Sequence, residues 1–179
     1  MKTEFHTREN IKIKVFDKNG KVVKQFIPNW FSKLTGLKIG KYVSEISEPN
    51  MIVNTGLVAL GAGVFDSAYS TKFTYIAVGS GSTAADPADT ELQTELTTNG
   101  MERAQGDYSQ KTTTIANDTK VLTYTFTATG SASTVRETGV FSASSGGTMI
   151  NRYVLPSDTT IDVGSSIQIT HEFQIARAA

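Results

Sequence analysis

The segment V121-L-T-Y-T-F-T127 decides the fold class, because apolar residues and threonines alternate along it without interruption. Successive side chains of an extended strand point to opposite faces of a sheet. Leu122, Tyr124 and Phe126 therefore form one apolar face, while the threonines and Val121 form the other. This period of two predicts a β-strand with one buried face.

Similar short segments lie on both sides of it and are separated by turn residues. The predicted strands are 73–78, 101–110, 134–142, 148–155, 159–163 and 167–175. The predicted turns are Ser144-Ser145-Gly146-Gly147, Pro156-Ser157-Asp158 and Gly164. Short strands at this spacing are typical of a sandwich or a barrel. We therefore predict a mainly β protein, an antiparallel β-sandwich or barrel-like domain with one or two short helices.

The first 49 residues differ from the rest of the chain. Two runs, 11–16 and 21–27, flank the turn Asp17-Lys18-Asn19-Gly20, which is a strong hairpin signal. Two strands alone form too thin a layer to bury a core. We predict that residues 1–49 form an N-terminal β-hairpin arm, which docks on its own body or on a neighbour, and that residues 50–179 form the β-sandwich module.

The arm carries an apolar cluster of four residues, Phe26, Ile27, Trp30 and Phe31. Little local structure is available to cover these side chains. An exposed apolar cluster with aromatic residues is typical of an interface. We predict that these four residues form the partner-binding patch.

The loop Gly79-Ser80-Gly81-Ser82-Thr83-Ala84 matches the letters of the dinucleotide-binding pattern G-x-G-x-x-G/A. Such a site needs a helix that begins inside the motif and a βαβ unit around it. Here the helix signal begins only at Asp86-Pro87, and the rest of the chain indicates antiparallel hairpins. The sequence therefore favours a plain connection between a strand and a short helix that carries Leu92 and Leu96. Another short helix is predicted at 54–60, capped by Asn54 and stopped by Gly61 and Gly63.

In this order and spacing, the motifs resemble a module of structural proteins in tailed-bacteriophage particles. The resemblance covers about residues 50–175 and rests on Asn54-Thr55-Gly56-Leu57-Val58-Ala59-Leu60, Ile76-Ala77-Val78-Gly79-Ser80-Gly81, Asp89-Thr90-Glu91-Leu92 with Glu95, Glu137-Thr138-Gly139-Val140-Phe141, and Ile167-Gln168-Ile169-Thr170. Pro87 lies slightly later than in the family pattern.

The resemblance implies a non-enzymatic virion protein that is made in the host cytoplasm and binds other virion proteins, as a homo-oligomer. Of the locations open to such a protein, we favour a decoration or cement subunit on the head surface, whose arm clamps capsid neighbours. The alternative is a neck, collar, tail or tail-fibre component, in which aromatic residues could form a platform that binds a host carbohydrate. The candidates for that platform are Trp30, Phe31, Tyr42, Tyr69, Tyr75, Tyr108 and Tyr153.

Composition excludes several other classes. The 17 Lys and Arg residues balance 17 Asp and Glu residues, which argues against a nucleic-acid partner. The chain has no cysteine for disulfides or thiolate metal sites, and no apolar run is long enough for a membrane span.

Residues with catalytic or metal-binding chemistry are sparse. His6 and His171 lie at opposite ends of the chain, and the pairs Asp86/Asp89 and Asp158/Asp162 lack the spacing of a calcium loop. A surface or structural histidine and turn or cap aspartates are the favoured interpretations. We predict no catalytic residue, cofactor site or metal site.

Overall fold

A computed structural model describes residues 5–28 and 40–177 of the protein. Within these residues the chain forms thirteen strands and one helix. The helix α1 is Asn54–Phe65. The strands are β1 Phe5–Phe16, β2 Val22–Val23, β3 Gln25–Pro28, β4 Gly40–Val43, β5 Ile46–Pro49, β6 Met51–Ile52, β7 Tyr75–Gly79, β8 Ala104–Gln105, β9 Asp107–Lys111, β10 Thr119–Thr127, β11 Ser133–Phe141, β12 Met149–Ile161 and β13 Ser166–Arg177.

Two antiparallel sheets pack against each other as a sandwich. The six-stranded sheet has the order β2-β1-β13-β10-β9, with β5 also paired to β1, and the five-stranded sheet has the order β6-β12-β11-β7-β8. A separate ribbon joins β3 to β4. The predicted mainly β, antiparallel sandwich is confirmed, and the described strands do not close into a barrel.

The core lies between the two large sheets and consists of inward-facing residues from both. The alternation that predicted β10 is confirmed, since Leu122 and Phe126 are buried. Other buried core residues are Ile11, Ile13, Val15, Ile167 and Ile169 on the six-stranded sheet and Ile76, Val78, Val135, Val140, Leu155 and Ile161 on the five-stranded sheet.

The N-terminal segment is not a separate arm where the structure describes it. β1 pairs with β13 from Phe5↔Arg177 to Phe16↔Ser166, so it is an inner strand of the six-stranded sheet. The predicted hairpin exists, but its second strand is only β2. The alternating apolar residues of β1 need a second layer to cover them, and the module's own core supplies it. A boundary at residue 49 therefore runs through one sheet and does not separate two packing units.

Both helix predictions need correction. α1 continues through Gly61 and Gly63 to Phe65, and its N-cap is Val53 without a side-chain cap, not Asn54. The second predicted helix does not form, since residues 80–94 are loop and turns. Asp86 and Asp89 instead make a tight turn, in which the amide of Asp86 donates to Asp89 Oδ2 at 2.9 Å.

The predicted turn at Pro156-Ser157-Asp158 is also wrong, because β12 runs through it to Ile161. The pairing register with β11 shifts between Val135 and Glu137, and this irregularity absorbs the proline. The turn at Gly164 is confirmed, since its backbone has φ +83° and it connects β12 to β13.

Candidate functional site

The loop after β7 is organised around one buried carboxylate. Glu137 of β11 is completely buried. Its Oε1 accepts hydrogen bonds from the amides of Gly81 at 3.0 Å and Thr94 at 2.8 Å, and its Oε2 accepts one from the amide of Gln93 at 3.1 Å. Three backbone donors from both ends of the loop thus converge on one side chain.

This arrangement explains the two glycines of the nucleotide-like motif. A Cβ on Gly79 or on Gly81 would overlap Glu137 Oε1, so only glycine lets the backbone approach the carboxylate this closely. The amides of Gly81, Gln93 and Thr94, which could face a phosphate, already bind the protein's own carboxylate. The loop is built to bind Glu137.

Arg152 of β12 completes the cluster. Its Nε donates to Glu137 Oε2 at 2.8 Å, its Nη1 donates to Asp89 Oδ2 at 2.8 Å, and its Nη2 donates to the carbonyl of Thr83 at 3.1 Å. Burial alone would lower the pKa of Arg152, but the hydrogen bonds and charges of Asp89 and Glu137 raise it above its usual value. We call Glu137, Arg152 and Asp89 the loop clamp.

A second ion pair ties the end of this loop to the β11–β12 turn. Arg103 Nε and Nη2 donate to the two carboxylate oxygens of Glu95 at 2.9 and 2.6 Å. Arg103 Nη1 donates to the carbonyls of Ala143 at 3.0 Å and Gly146 at 2.6 Å, and the guanidinium lies 3.6 Å from the ring centroid of Phe141. The charged groups in this region satisfy one another, which is the chemistry of a rigid scaffold.

His171 lies in a third polar cluster, between the sheets. Its Nδ1 is 2.8 Å from Asn151 Nδ2 and 3.4 Å from Glu9 Oε1, and its Nε2 is 3.5 Å from Thr138 Oγ1. Glu9 Oε1 also accepts hydrogen bonds from Asn151 and from Asn50. Burial lowers the pKa of His171 to about 3 and raises the pKa of Glu9 well above its usual value, so both groups favour their neutral forms.

The structure describes only two of the four residues of the predicted partner-binding patch, Phe26 and Ile27. Phe26 is half-buried with its ring centroid 5.3 Å from that of Tyr42, and Ile27 packs against the main core. Trp30 and Phe31 lie outside the described residues. The structure therefore gives Phe26 and Ile27 partners within the chain.

An apolar pocket of about 560 Å³ opens at the edge of the sandwich beside α1. Its apolar lining comes from α1 and from both sheets, and Lys72 and Lys120 lie at it as well. The main apolar lining residues are Ile52, Leu60, Phe73, Leu122, Ile150 and Phe173.

A family model with the description Podophage GP4 fiber I protein gp80 matches residues 63–174. The chain belongs to this family. Members are structural proteins of the phage virion, so the expected relationship to tailed-phage virion modules is confirmed. No curated protein matches the chain.

The part matched by the gp80 fibre family contains the whole loop clamp and the Glu95–Arg103 pair. Sequence reasoning singled out Glu137 and Glu95 only as motif letters and missed Arg103 and Arg152. A signal for Glu137 was present, because it alternates with Thr138 and Val140 and lies in phase with Phe141, on the face of β11 that packs against Leu92. A charge on an apolar strand face predicts a buried ion pair.

The described residues offer no group of three or more His, Asp or Glu that could hold a metal ion. The Asp158 carboxylate lies 3.6 Å from Arg136 Nη1, in an ion pair. Over residues 5–28 and 40–177, no helix is long and apolar enough to cross a bilayer.

Proposed function

We propose that this protein is a non-enzymatic structural subunit of a fibre on a tailed-phage particle. The observation that carries the proposal is its membership of the gp80 fibre family over residues 63–174.

The use of the charged residues supports a scaffold role. Glu137, Arg152 and Arg103 each bind a partner within the chain and hold loop backbone in place. An enzyme would keep such groups directed at a substrate. In this protein they fix the surface loops on a two-sheet core.

The fibre assignment replaces the head-surface role that the sequence favoured. That role depended on a free N-terminal arm to clamp capsid neighbours, and β1 is instead part of the central sheet. A neck or collar location has no observation in its favour.

The carbohydrate alternative needs adjacent exposed aromatic rings. Among the described tyrosines, Tyr42 and Tyr108 are the exposed ones, and they lie on different sheets. The described tyrosines therefore give no support to a sugar-binding platform.

Imaging of labelled particles tests the fibre proposal. Fab fragments raised against the purified protein are bound to intact particles and located by electron microscopy. We expect Fab density along fibres. Labelling spread over the head or confined to the neck would contradict the proposal.

We further propose that Trp30 and Phe31 contact another virion protein, with Phe26 and Ile27 supporting them from the body. Trp30→Ala with Phe31→Ala should reduce incorporation into particles and leave the melting temperature of the purified protein unchanged, because aromatic anchors dominate interfaces. Phe26→Ala should lower the melting temperature, since its ring packs on Tyr42. Normal incorporation of the double variant would remove this patch from the assembly interface.

A further inference from the structure

The helix α1 buries small residues and exposes most of its large apolar residues. Its buried residues are the small Gly56 and Ala59, and a Cβ on Gly56 would overlap the backbone of Ile150. Leu60 packs against the main core, but the other large apolar residues point outward, with exposed fractions of 73% for Val58, 74% for Val64 and 90% for Phe65. A surface helix normally buries its large residues. This outward face therefore lacks a partner within the described chain.

The outer face and the apolar pocket form one surface. Leu60 lines the pocket, and Val64 lies one helical turn further along α1. An exposed apolar projection thus lies next to an apolar recess of about 560 Å³. Contiguous apolar surface of this kind marks an interaction site.

The charges at the two features are complementary. No carboxylate is among the residues that line the pocket, whereas Lys72 and Lys120 do line it. Lys72 makes no ion pair with any described residue. The projection has the opposite character, because Asp66 directly follows Phe65 and residues 51–71 contain no Lys or Arg.

We propose that the occupant of this surface is a second copy of the same chain. Phe65 of one copy enters the apolar pocket of the other, and Asp66 pairs with Lys72 at the pocket rim. Because projection and recess adjoin on each copy, the contact is reciprocal, as in a twofold interface. This inference concerns self-association and is independent of the position on the particle.

The first experiment measures the oligomeric state of the purified full chain by sedimentation at several concentrations. The wild-type protein should associate reversibly. Phe65→Ser should raise the dissociation constant by at least about tenfold, as expected for a central aromatic anchor. Its melting temperature extrapolated to low concentration should not change, since the side chain is 90% exposed. Val163→Ser is the matched control, because Val163 is exposed on a different loop.

A charge exchange tests the proposed pairing. Asp66→Lys and Lys72→Glu should each weaken self-association, because like charges then face each other. An equimolar mixture of the two variants should associate better than either alone, since both reciprocal contacts regain opposite charges. Asp66→Asn serves as a control that keeps the acceptor for the amide of Ala68.

Three results would overturn the proposal. They are a wild-type protein that stays monomeric at all concentrations, an oligomer that Phe65→Ser does not weaken, and single charge variants whose mixture gains nothing. A monomer whose pocket binds a fluorescent apolar dye, with loss of binding in Leu60→Glu, would show that the pocket takes a small ligand.

Discussion

At the scale of single residues, the arrangement around Glu137 has the greatest energetic weight. One completely buried carboxylate binds three backbone amides and the buried side chain of Arg152. Removal of one member of a buried ion pair leaves an uncompensated charge in the interior, which costs more than the loss of the hydrogen bonds alone.

Glu137→Gln should therefore lower the free energy of unfolding by about 3–5 kcal/mol. The side-chain NH2 of the new glutamine is itself a donor, and it would face the N–H donors that now bind a carboxylate oxygen. Urea denaturation measures the change, and Glu91→Gln, on the same loop but exposed, should have almost no effect. Equal stabilities of the two variants would show that the loop clamp is not a stabilising element.

The buried pair Glu9 and His171 gives stability a defined pH dependence. The pKa of His171 is about 3 in the folded state against 6.5 as its ordinary value. The unfolded chain therefore binds the extra proton between these values, and stability falls as pH decreases below about 6.5. The pKa of Glu9 is raised in the folded state. The stability that Glu9 contributes is therefore fully present below the ordinary pKa of a glutamate and is lost as pH rises through the raised pKa.

Glu9→Gln should remove the loss of stability at high pH, because the glutamine side chain does not ionise. Compared with wild type, the variant should be relatively more stable at pH 8 than at pH 4.5, with a slope difference of up to about 1.4 kcal/mol per pH unit. Urea denaturation across this range measures it. Parallel pH profiles for the two proteins would mean that Glu9 is ionised in the folded state.

Single residues also differ in how well the sequence predicts their environment. The alternation along β10 correctly predicted that Leu122 and Phe126 face the core. The partners of His171 could not be predicted, because Glu9 lies 162 positions away in the chain. Only the pairing of β1 with β13 brings these two residues together.

At the scale of elements, two of the three glycines of α1 have opposite roles. A Cβ on Gly56 would meet the Ile150 backbone, whereas a Cβ on Gly61 would meet nothing within 4 Å. Alanine is favoured over glycine inside a helix by about 0.5–1 kcal/mol.

Gly61→Ala should therefore raise the free energy of unfolding by about 0.5–1 kcal/mol, and Gly56→Ala should lower it, because the helix must move away from β12. Thermal denaturation of the two variants at equal concentration measures the difference. If both variants were stabilised, α1 would not be seated on Ile150 as the structure shows.

The strands were predictable and the second helix was not, for a common physical reason. Strand alternation reports burial of side chains on a local face, which the sequence shows directly. The segment 86–96 has helix-forming residues, but the amides of Gln93 and Thr94 bind Glu137 instead of helix carbonyls. A tertiary hydrogen bond overrides the local preference there.

At the scale of the whole molecule, the body and the N-terminal segment share one core. Ile11, Ile13 and Val15 are at most 3% exposed, and β1 covers one side of β13 along its length. Deletion of residues 1–49 would expose that side of β13 and the apolar residues beneath it.

We expect the deletion variant to lose cooperative unfolding in circular dichroism. Ile13→Ala in the full chain should cost about 2–5 kcal/mol, while Val22→Ala, on the half-exposed β2, should cost much less. A deletion variant with a cooperative melt would restore residues 50–179 as an independent domain.

The pairing of β1 with β13 also has a consequence for synthesis. The ribosome makes β1 at the start of this sequence, but its hydrogen-bonding partner emerges only after residue 166 has been translated. Until then the apolar face of β1 is uncovered, and such faces are prone to aggregation in incomplete chains. The six-stranded sheet can close only after β13 has been translated, through a contact between distant parts of the chain that forms slowly. We expect ribosome-bound fragments that stop before β13 to remain protease-sensitive and to depend on host chaperones.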